Sequence, residues 1–497
     1  MALLLAGLSW AAVKYHHQRG HTTWYGDAEA HLNIARRVLD SRTPDWEQVG
    51  TVWLPLPHLL MLPLVRDEGL WRSGLAGAIP SAGCFVLAGL FLYAAARRAY
   101  QSRAAALTAL CLVALNPNLL YLQATPMTEP VMLAALAALL YFTVRFRDTQ
   151  GLGAVVGAGV AALAGTLTRY EGWFVIPFVT LYFVVAAKRR RLRCAALFGA
   201  VASLGPLYWL AHNWWYCGNA VEFFTSPWSA MSIYRRALEE GMARAPGDGN
   251  WAAALGQYRA AVRLCVGEPL YWMGLAGVVA AVFRRAWWAA ALLALPPAFY
   301  LWSIHSGGTP VYVPRLWPFT YYNTRYGLAA LPLAAMAAAA WAALAPRRVK
   351  MLAALAVVGV AVAPWVAYPR AEGWICWKES QVNDEARRAW TREAAEFLRS
   401  QWAPGDGIFM SFGNLTGVLR EAGLPLRVGL HEGNRPEWEA AVGRPDLFLH
   451  ERWALAISGD KVATALLRAS RSGPKYERVK SIERKGAPVI EIYRRAP

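Results

Sequence analysis

Apolar residues in this chain arrive in long runs separated by short basic connections, unlike the spaced apolar positions of a soluble core. The runs 1–17, 74–96, 104–122, 127–144, 151–168, 172–187, 194–212, 269–283, 286–304, 326–346 and 351–369 carry almost no charge. At 1.5 Å per residue, about 16–23 residues approach or match a hydrocarbon layer about 30 Å thick. The pattern predicts a polytopic α-helical membrane protein with about eleven spans. Met1–Val13 has no basic residue before it and no small-x-small cleavage site after it, so it reads as a first membrane helix reaching His17. Only Arg169-Tyr170-Glu171 separates 151–168 from 172–187, which predicts a tight helical hairpin.

Two regions depart from the pattern. In the connection 18–73, residues 27–42 read as an amphipathic helix, with Leu32, Ala35 and Leu39 on one side and Arg36 and Arg37 toward the other. Asp27 is a favourable N-cap for that helix. Pro55, Pro57 and Pro63 punctuate the apolar stretch 52–65, which is short for a span and suits a helix lying in the interface. After Arg370 the texture becomes that of a soluble α/β domain. Helices are predicted over 391–402 and 460–470, and strands over 407–412, 426–430, 446–449, 476–482 and 489–493. The chain therefore divides into a membrane domain, 1–370, with interfacial helices in the connection 18–73, and a C-terminal α/β domain, 371–497.

Composition agrees: 56% of residues are hydrophobic and only 17% charged, below the usual quarter, and the 24 tryptophans suit membrane–water boundaries. The net charge of +19 does not form a nucleic-acid-binding stripe. Much of it lies in alternate short connections: Arg97, Arg98 and Arg103; Arg145 and Arg147; Lys188 to Arg193; Arg284 and Arg285; Arg347, Arg348 and Lys350. The positive-inside rule puts these in the cytoplasm, with the N-terminus. Connections 18–73 and 213–268 and the C-terminal domain then lie outside, across a cytoplasmic (bacterial inner) membrane. The six cysteines are scattered without a C-x-x-C pair and read as small buried residues. Asn414-Leu415-Thr416 is a short sequon match, and no G-x-x-x-x-G-K-[ST] phosphate loop occurs.

The predicted span centres are clean of charge, which disfavours a transporter or lipid flippase. A non-catalytic membrane scaffold with an outer binding domain is a second alternative. Ionisable groups gather instead at the predicted outer boundary, most densely in Tyr25-Gly-Asp27-Ala-Glu29-Ala-His31-Leu-Asn33-Ile-Ala-Arg36. A carboxylate there can take the proton of an acceptor hydroxyl while a lipid-borne donor stays in the bilayer. Capping by Asp27, and solvation or packing of His31, are the plainer readings of the same residues.

Asp27-Ala-Glu-Ala-His-Leu-Asn-Ile-Ala-Arg resembles the opening motif of the GT-C superfamily, polyprenyl-phosphate-sugar-dependent glycosyltransferases related to protein mannosyltransferases and the lipid A aminoarabinose transferase. The resemblance extends through Pro55-Leu-Pro57-His58, Pro126-Met-Thr-Glu129-Pro, Thr168-Arg-Tyr-Glu-Gly-Trp173 and Asn323-Thr-Arg-Tyr-Gly327, covering roughly residues 1–370. It implies a transferase moving a sugar from a polyprenyl monophosphate to a lipid, glycan or protein hydroxyl at the outer face. It implies Asp27 as the catalytic carboxylate, with Glu29 the second candidate. Ala28 stands where relatives often carry Glu, and His31 where Tyr is common. His31, His58, Glu129, Arg169, Tyr170, Glu171, Arg315, Arg325 and Tyr326 are the candidate substrate-binding residues. Arg169, Arg315 and Arg325 are exceptions to the charge asymmetry, and a guanidinium forks well onto a lipid-linked phosphate; pairing with neighbouring acids, as Arg169 with Glu171, is the plainer reading. A monophosphate leaving group does not demand a metal, and the histidines lack a metal-binding spacing; a divalent ion as cofactor is left open.

The orientation is directly testable. Cysteines introduced at 18–70, 220–260 and 390–490 should react with impermeant reagents from outside, and those at 97–103 and 188–193 should not. Outside labelling of the Lys188–Arg193 connection would reverse the topology.

Overall fold

The computed structural model describes residues 1–413 and 415–496, so Asn414 of the sequon match lies outside the described residues. Two compact units emerge: 1–19, 51–57 and 78–379 form the first, and 20–50, 58–77 and 380–497 the second. The compositional break at 370 therefore precedes the packing boundary, and most of the 18–73 connection packs within the second unit.

In the first unit every predicted apolar run is helical over most of its length. Among the described residues, six helices are each long and apolar enough to cross a bilayer: Leu75–Tyr100, Glu129–Thr149, Arg191–Cys217, Trp287–His305, Thr324–Leu344 and Lys350–Ala367. A seventh arises if Trp251–Val266 and Glu268–Phe283, bent by 110°, count as one span. Arg103–Ala114, Leu152–Thr166 and Glu171–Ala186 are apolar but shorter. These helices make the chain an integral membrane protein.

Two differences from the sequence pattern have clear local causes. The run 104–122 is two helices, Arg103–Ala114 and Pro117–Leu122. Asn116 interrupts it by accepting bonds from the amides of Asn118 and Leu119 at 3.0 and 3.1 Å, with Pro117 at the first helical position. The connection 213–268 holds helices Ala230–Glu239 and Trp251–Val266, the latter apolar enough to share a span. Asn116 and Asn118 also donate to the Cys265 carbonyl at 2.9 and 3.1 Å, tying the end of that helix in place.

The second unit is built on a five-stranded mixed sheet of order β2-β1-β3-β5-β4. The strands are β1 (Ile408–Met410), β2 (Gly429–Leu430), β3 (Trp453–Ile457), β4 (Tyr476–Ile482) and β5 (Ile490–Arg495). β1 pairs parallel with β2 and β3, and β5 pairs antiparallel with β3 and β4. Side chains alternate between two cores, as the strand period of two requires. Ile408, Met410, Trp453, Leu455, Ile490 and Ile492 join Trp390, Ala394 and Leu398 on one face. Phe409, Ala454 and Ala456 join Trp438, Val462 and Leu466 on the other.

The helix predicted at 27–42 is Gly26–Arg37, and it packs into the first of these cores through Leu32 and Ala35. Its N-cap is Tyr25, so Asp27 lies inside the first turn and is not the cap. The stretch 52–65 contributes only the short helix Leu56–Met61. The predicted strand 446–449 is instead a helical turn, Pro445–Phe448, opened by Pro445; the strand follows at Trp453–Ile457. Only Gly429–Leu430 of 426–430 is extended, after a 3₁₀ turn, and the helix expected at 391–402 is the end of a longer one, Ile375–Gln401.

Trp390, 1% exposed, anchors the shared core. Trp390→Ala should lower the stability of the second unit by about 3–5 kcal/mol in thermal or denaturant unfolding. Leu467→Ala, at a position 70% exposed, should change it by less than about 0.5 kcal/mol.

Candidate functional site

Each unit holds one cluster of the candidate residues. In the second, helix Gly26–Arg37 places Asp27 and Glu29 in its first turn, where the helix N-terminus favours negative charge. The two carboxylates have different surroundings. Asp27 is half-exposed, with Arg387 close enough to feel its charge. Glu29 is 5% exposed and takes two bonds from Arg420, at 2.7 and 3.0 Å, and one from Arg387 at 3.4 Å. Burial pushes the Glu29 carboxyl up, but the two guanidiniums outweigh it and hold it below the usual range. Gly417 is part of this arrangement: a Cβ there would come within 2.5 Å of both Glu29 oxygens.

Arg387 also pairs with Asp384, which Arg388 meets at 2.6 Å from the other side. Burial, with Glu29 adding to it, pushes Asp384 up to about 6 against both arginines. Asn33 locks the same helix laterally, donating to the Thr416 carbonyl at 2.9 Å and accepting from the Trp71 indole at 3.0 Å. His31 and His58 meet as a buried pair, Nδ1 to Nε2, at 3.0 Å.

In the first unit, Glu129, Arg169, Glu171, Arg325 and Tyr326 come together at a closed cleft with room for about 30 Å³, roughly one water. Arg169 donates to Glu171 and Thr128, both at 2.7 Å, to Tyr300 at 2.8 Å and to Glu129 at 3.3 Å. The Tyr300 hydroxyl in turn donates to Glu171 at 2.7 Å. Arg325 donates to Glu129 at 3.1 Å and to Glu379 at 3.2 Å. Both guanidiniums face the Tyr326 ring, at 5.2 and 5.1 Å, and Tyr326 stacks on Tyr300 at 4.6 Å. Glu129 Oε2 is buried with no hydrogen-bond partner among the described residues. Tyr170 instead braces the loop, donating to the Val52 carbonyl at 2.6 Å. Arg315 is separate: it is exposed and pairs with Glu372 at 2.7 Å.

Sequence reasoning missed Glu379, Tyr300, Asp384, Arg387 and Arg420. Glu379 is buried and also accepts from the Thr324 amide at 2.7 Å. Burial raises its proton affinity even though Arg325 opposes this. It lies just past the compositional break, where no apolar run marks it. Among the described residues, no three of His, Cys, Asp and Glu gather as a metal site.

Comparison with known proteins supports the resemblance. Residues 71–215 match the family model described as dolichyl-phosphate-mannose-protein mannosyltransferase. No curated protein matches the chain by sequence. Among solved structures, ArnT from Cupriavidus metallidurans bound to undecaprenyl phosphate is similar over 99% of this chain and 97% of that one, with a TM-score of 0.60 and 13% identity. The Archaeoglobus fulgidus oligosaccharyltransferase in complex with Zn and sulfate is similar over 92% of this chain and 67% of that one, with a TM-score of 0.51 and 15% identity. The chain shares its fold with these solved structures.

Glu29→Gln would remove the negative charge shared by two part-buried guanidiniums, leaving Arg387 only Asp384, and should destabilise the second unit by about 3 kcal/mol. Because the Glu29 pKa is lowered, its contribution is complete above the unfolded value and is lost as pH falls through the folded one. The stability gap between wild type and variant, measured by unfolding at pH 7 and in steps below pH 4.5, should therefore narrow with acidification. A gap that stays constant would rule out the ion-pair role.

Proposed function

We propose that this protein is a glycosyltransferase that moves a sugar from a polyprenyl monophosphate to an acceptor hydroxyl at the outer face of a cytoplasmic membrane. In this reading the eleven apolar helical runs cross or enter the bilayer, the basic connections are cytoplasmic, and residues 371–497 are extracytoplasmic. The family match, to mannosyltransferases that use a lipid-phosphate sugar, and the fold shared with a protein that holds undecaprenyl phosphate support the donor class.

The observation that carries the assignment of roles is the contrast between the two carboxylates of one helical turn. Glu29 is buried and committed to Arg420 and Arg387, whereas Asp27 is half-exposed and able to meet a substrate. Asp27 is the general base: it takes the acceptor hydroxyl proton as that oxygen attacks the anomeric carbon. The bond from that carbon to the phosphate oxygen breaks, and the lipid leaves as its monophosphate, with inversion at the sugar. Glu29 acts through the arginines as a positioning residue.

Arg325 is the candidate for the departing phosphate, with Arg169 supporting it. Two of its partners are the carboxylates Glu129 and Glu379, and a phosphate would compete with them. Burial raises the proton affinity of Glu379, which makes it the partner proposed to yield. The acceptor is a hydroxyl of a lipid, glycan or protein.

Purified protein with synthetic polyprenyl-phosphate sugars tests this reading by direct detection of transfer. Asp27→Asn keeps the shape and removes the basicity, so turnover should fall by about 10²–10⁴. The loss of a charge from the first helical turn should cost only about 0.3–1 kcal/mol in stability. Near-normal transfer by a folded Asp27→Asn protein would show that the base lies elsewhere, with Glu129 the next candidate.

A further inference from the structure

A second, larger cavity of about 800 Å³ lies in the first unit, where helix Trp251–Val266 bends into Glu268–Phe283 beside the end of Lys350–Ala367. Its wall has two characters. Arg259, Arg263, Arg315 and Arg370 supply four guanidiniums, and Glu268 and Glu372 two carboxylates. Arg263 is answered by Glu268 at 2.5 Å, and Arg315 by Glu372 at 2.7 Å. Arg259 and Arg370 have no acidic partner among the described residues; Arg259 faces the rings of Tyr271 and Trp272, at 5.9 and 5.6 Å. The cavity thus carries two uncompensated positive charges.

The lining also has an apolar part: Leu264, Leu316, Ala361, Pro364 and Trp365. Ala361, Pro364 and Trp365 belong to helix Lys350–Ala367, an apolar helix long enough to cross a bilayer with only 17% of its residues buried in the protein. The bend that opens the cavity is fixed by Gly267. Its φ of +91° suits glycine, and a Cβ there would lie 2.7 Å from the Trp365 ring. A cationic rim beside an apolar wall that continues into such a helix is complementary to an anionic amphiphile.

We propose that this cavity binds a phosphate-bearing membrane lipid. Arg259 and Arg370 take the phosphate, and the hydrocarbon chain runs over Trp365 and along helix Lys350–Ala367. The shape favours a lipid over free phosphate: two exposed guanidiniums without a buried cradle hold a small anion weakly in water, whereas the apolar wall adds chain burial. None of these residues belongs to the Arg169–Arg325 cluster, so the inference stands whether or not the transferase assignment does.

The full-length protein, delipidated in detergent, is titrated with phosphatidylglycerol or phosphatidylcholine, and bound lipid is counted by native mass spectrometry. Phosphatidylglycerol should bind in preference to phosphatidylcholine. Arg259→Gln and Arg370→Gln should each weaken it about fivefold, and the double variant about twentyfold or more, with phosphatidylcholine unaffected. Both side chains are exposed, so the variants should fold, and thermal unfolding checks this. Equal binding by wild type and double variant would overturn the proposal. So would displacement of the lipid by glycerol phosphate at matched concentration, which would mean a free-anion site.

Discussion

A carboxylate buried between two guanidiniums can give up neither, and this constraint organises the second unit. Glu29 comes from helix Gly26–Arg37, Arg387 from Ile375–Gln401 and Arg420 from Thr416–Ala422. The first helix is hundreds of residues from the other two in sequence, yet Leu32, Trp390 and Val418 share one apolar core beneath the charges. Hydrophobic burial brings the helices together without choosing their rotation. The ion triad chooses it, because a small turn of any helix would leave a charge unpaired in a low-dielectric setting. Gly417, with no space for a Cβ against Glu29, shows how closely the third helix approaches. The position of Asp27, two residues before Glu29 on the same turn, follows from this arrangement.

The first unit solves a related problem with a different balance of charges. Arg169 and Arg325 face three carboxylates, Glu129, Glu171 and Glu379, so full ionisation would leave one uncompensated negative charge in a nearly closed cleft. Burial raises the proton affinity of Glu379, which acts against that excess. Tyr300 and Tyr326 complete the wall, one donating to Glu171 and the other offering its face to both guanidiniums.

The parts of the fold that the sequence made legible are those set by local composition. Long apolar runs became helices because backbone groups in an apolar medium must bond within their own segment. Alternation in 476–482 became β4, and Asp460 capped the helix that follows it, accepting from the Ala463 amide at 2.7 Å. The misreadings came where one local signal outweighed another: Asn116-Pro117 broke an apolar run, and Pro445 turned an apparent strand into a helical turn. The motif residues of the candidate site were also visible, since Asp27, Glu29, Glu129, Arg169 and Arg325 sit in short polar islands between apolar stretches. Their partners were not. Arg387, Arg420 and Glu379 lie in charge-rich surroundings where no periodicity sets one charged residue apart from the next. Only long-range packing selects which of them is buried.

Two acidic residues of one helical turn meet different surroundings here. Asp27 and Glu29 share a helix end, a net attraction to its dipole and a common neighbour in Arg387. They differ in burial, and Glu29 is held by two arginines. A general base needs access to its substrate and a lone pair not already given to an arginine, conditions that Glu29 fails through both Arg420 and Arg387. Ala28 beside it is buried, and the side chain at position 29 stands a further helical step of about 100° round, in the ion triad. That placement makes the second carboxylate part of the scaffold, and the chemistry proposed for this turn falls to Asp27.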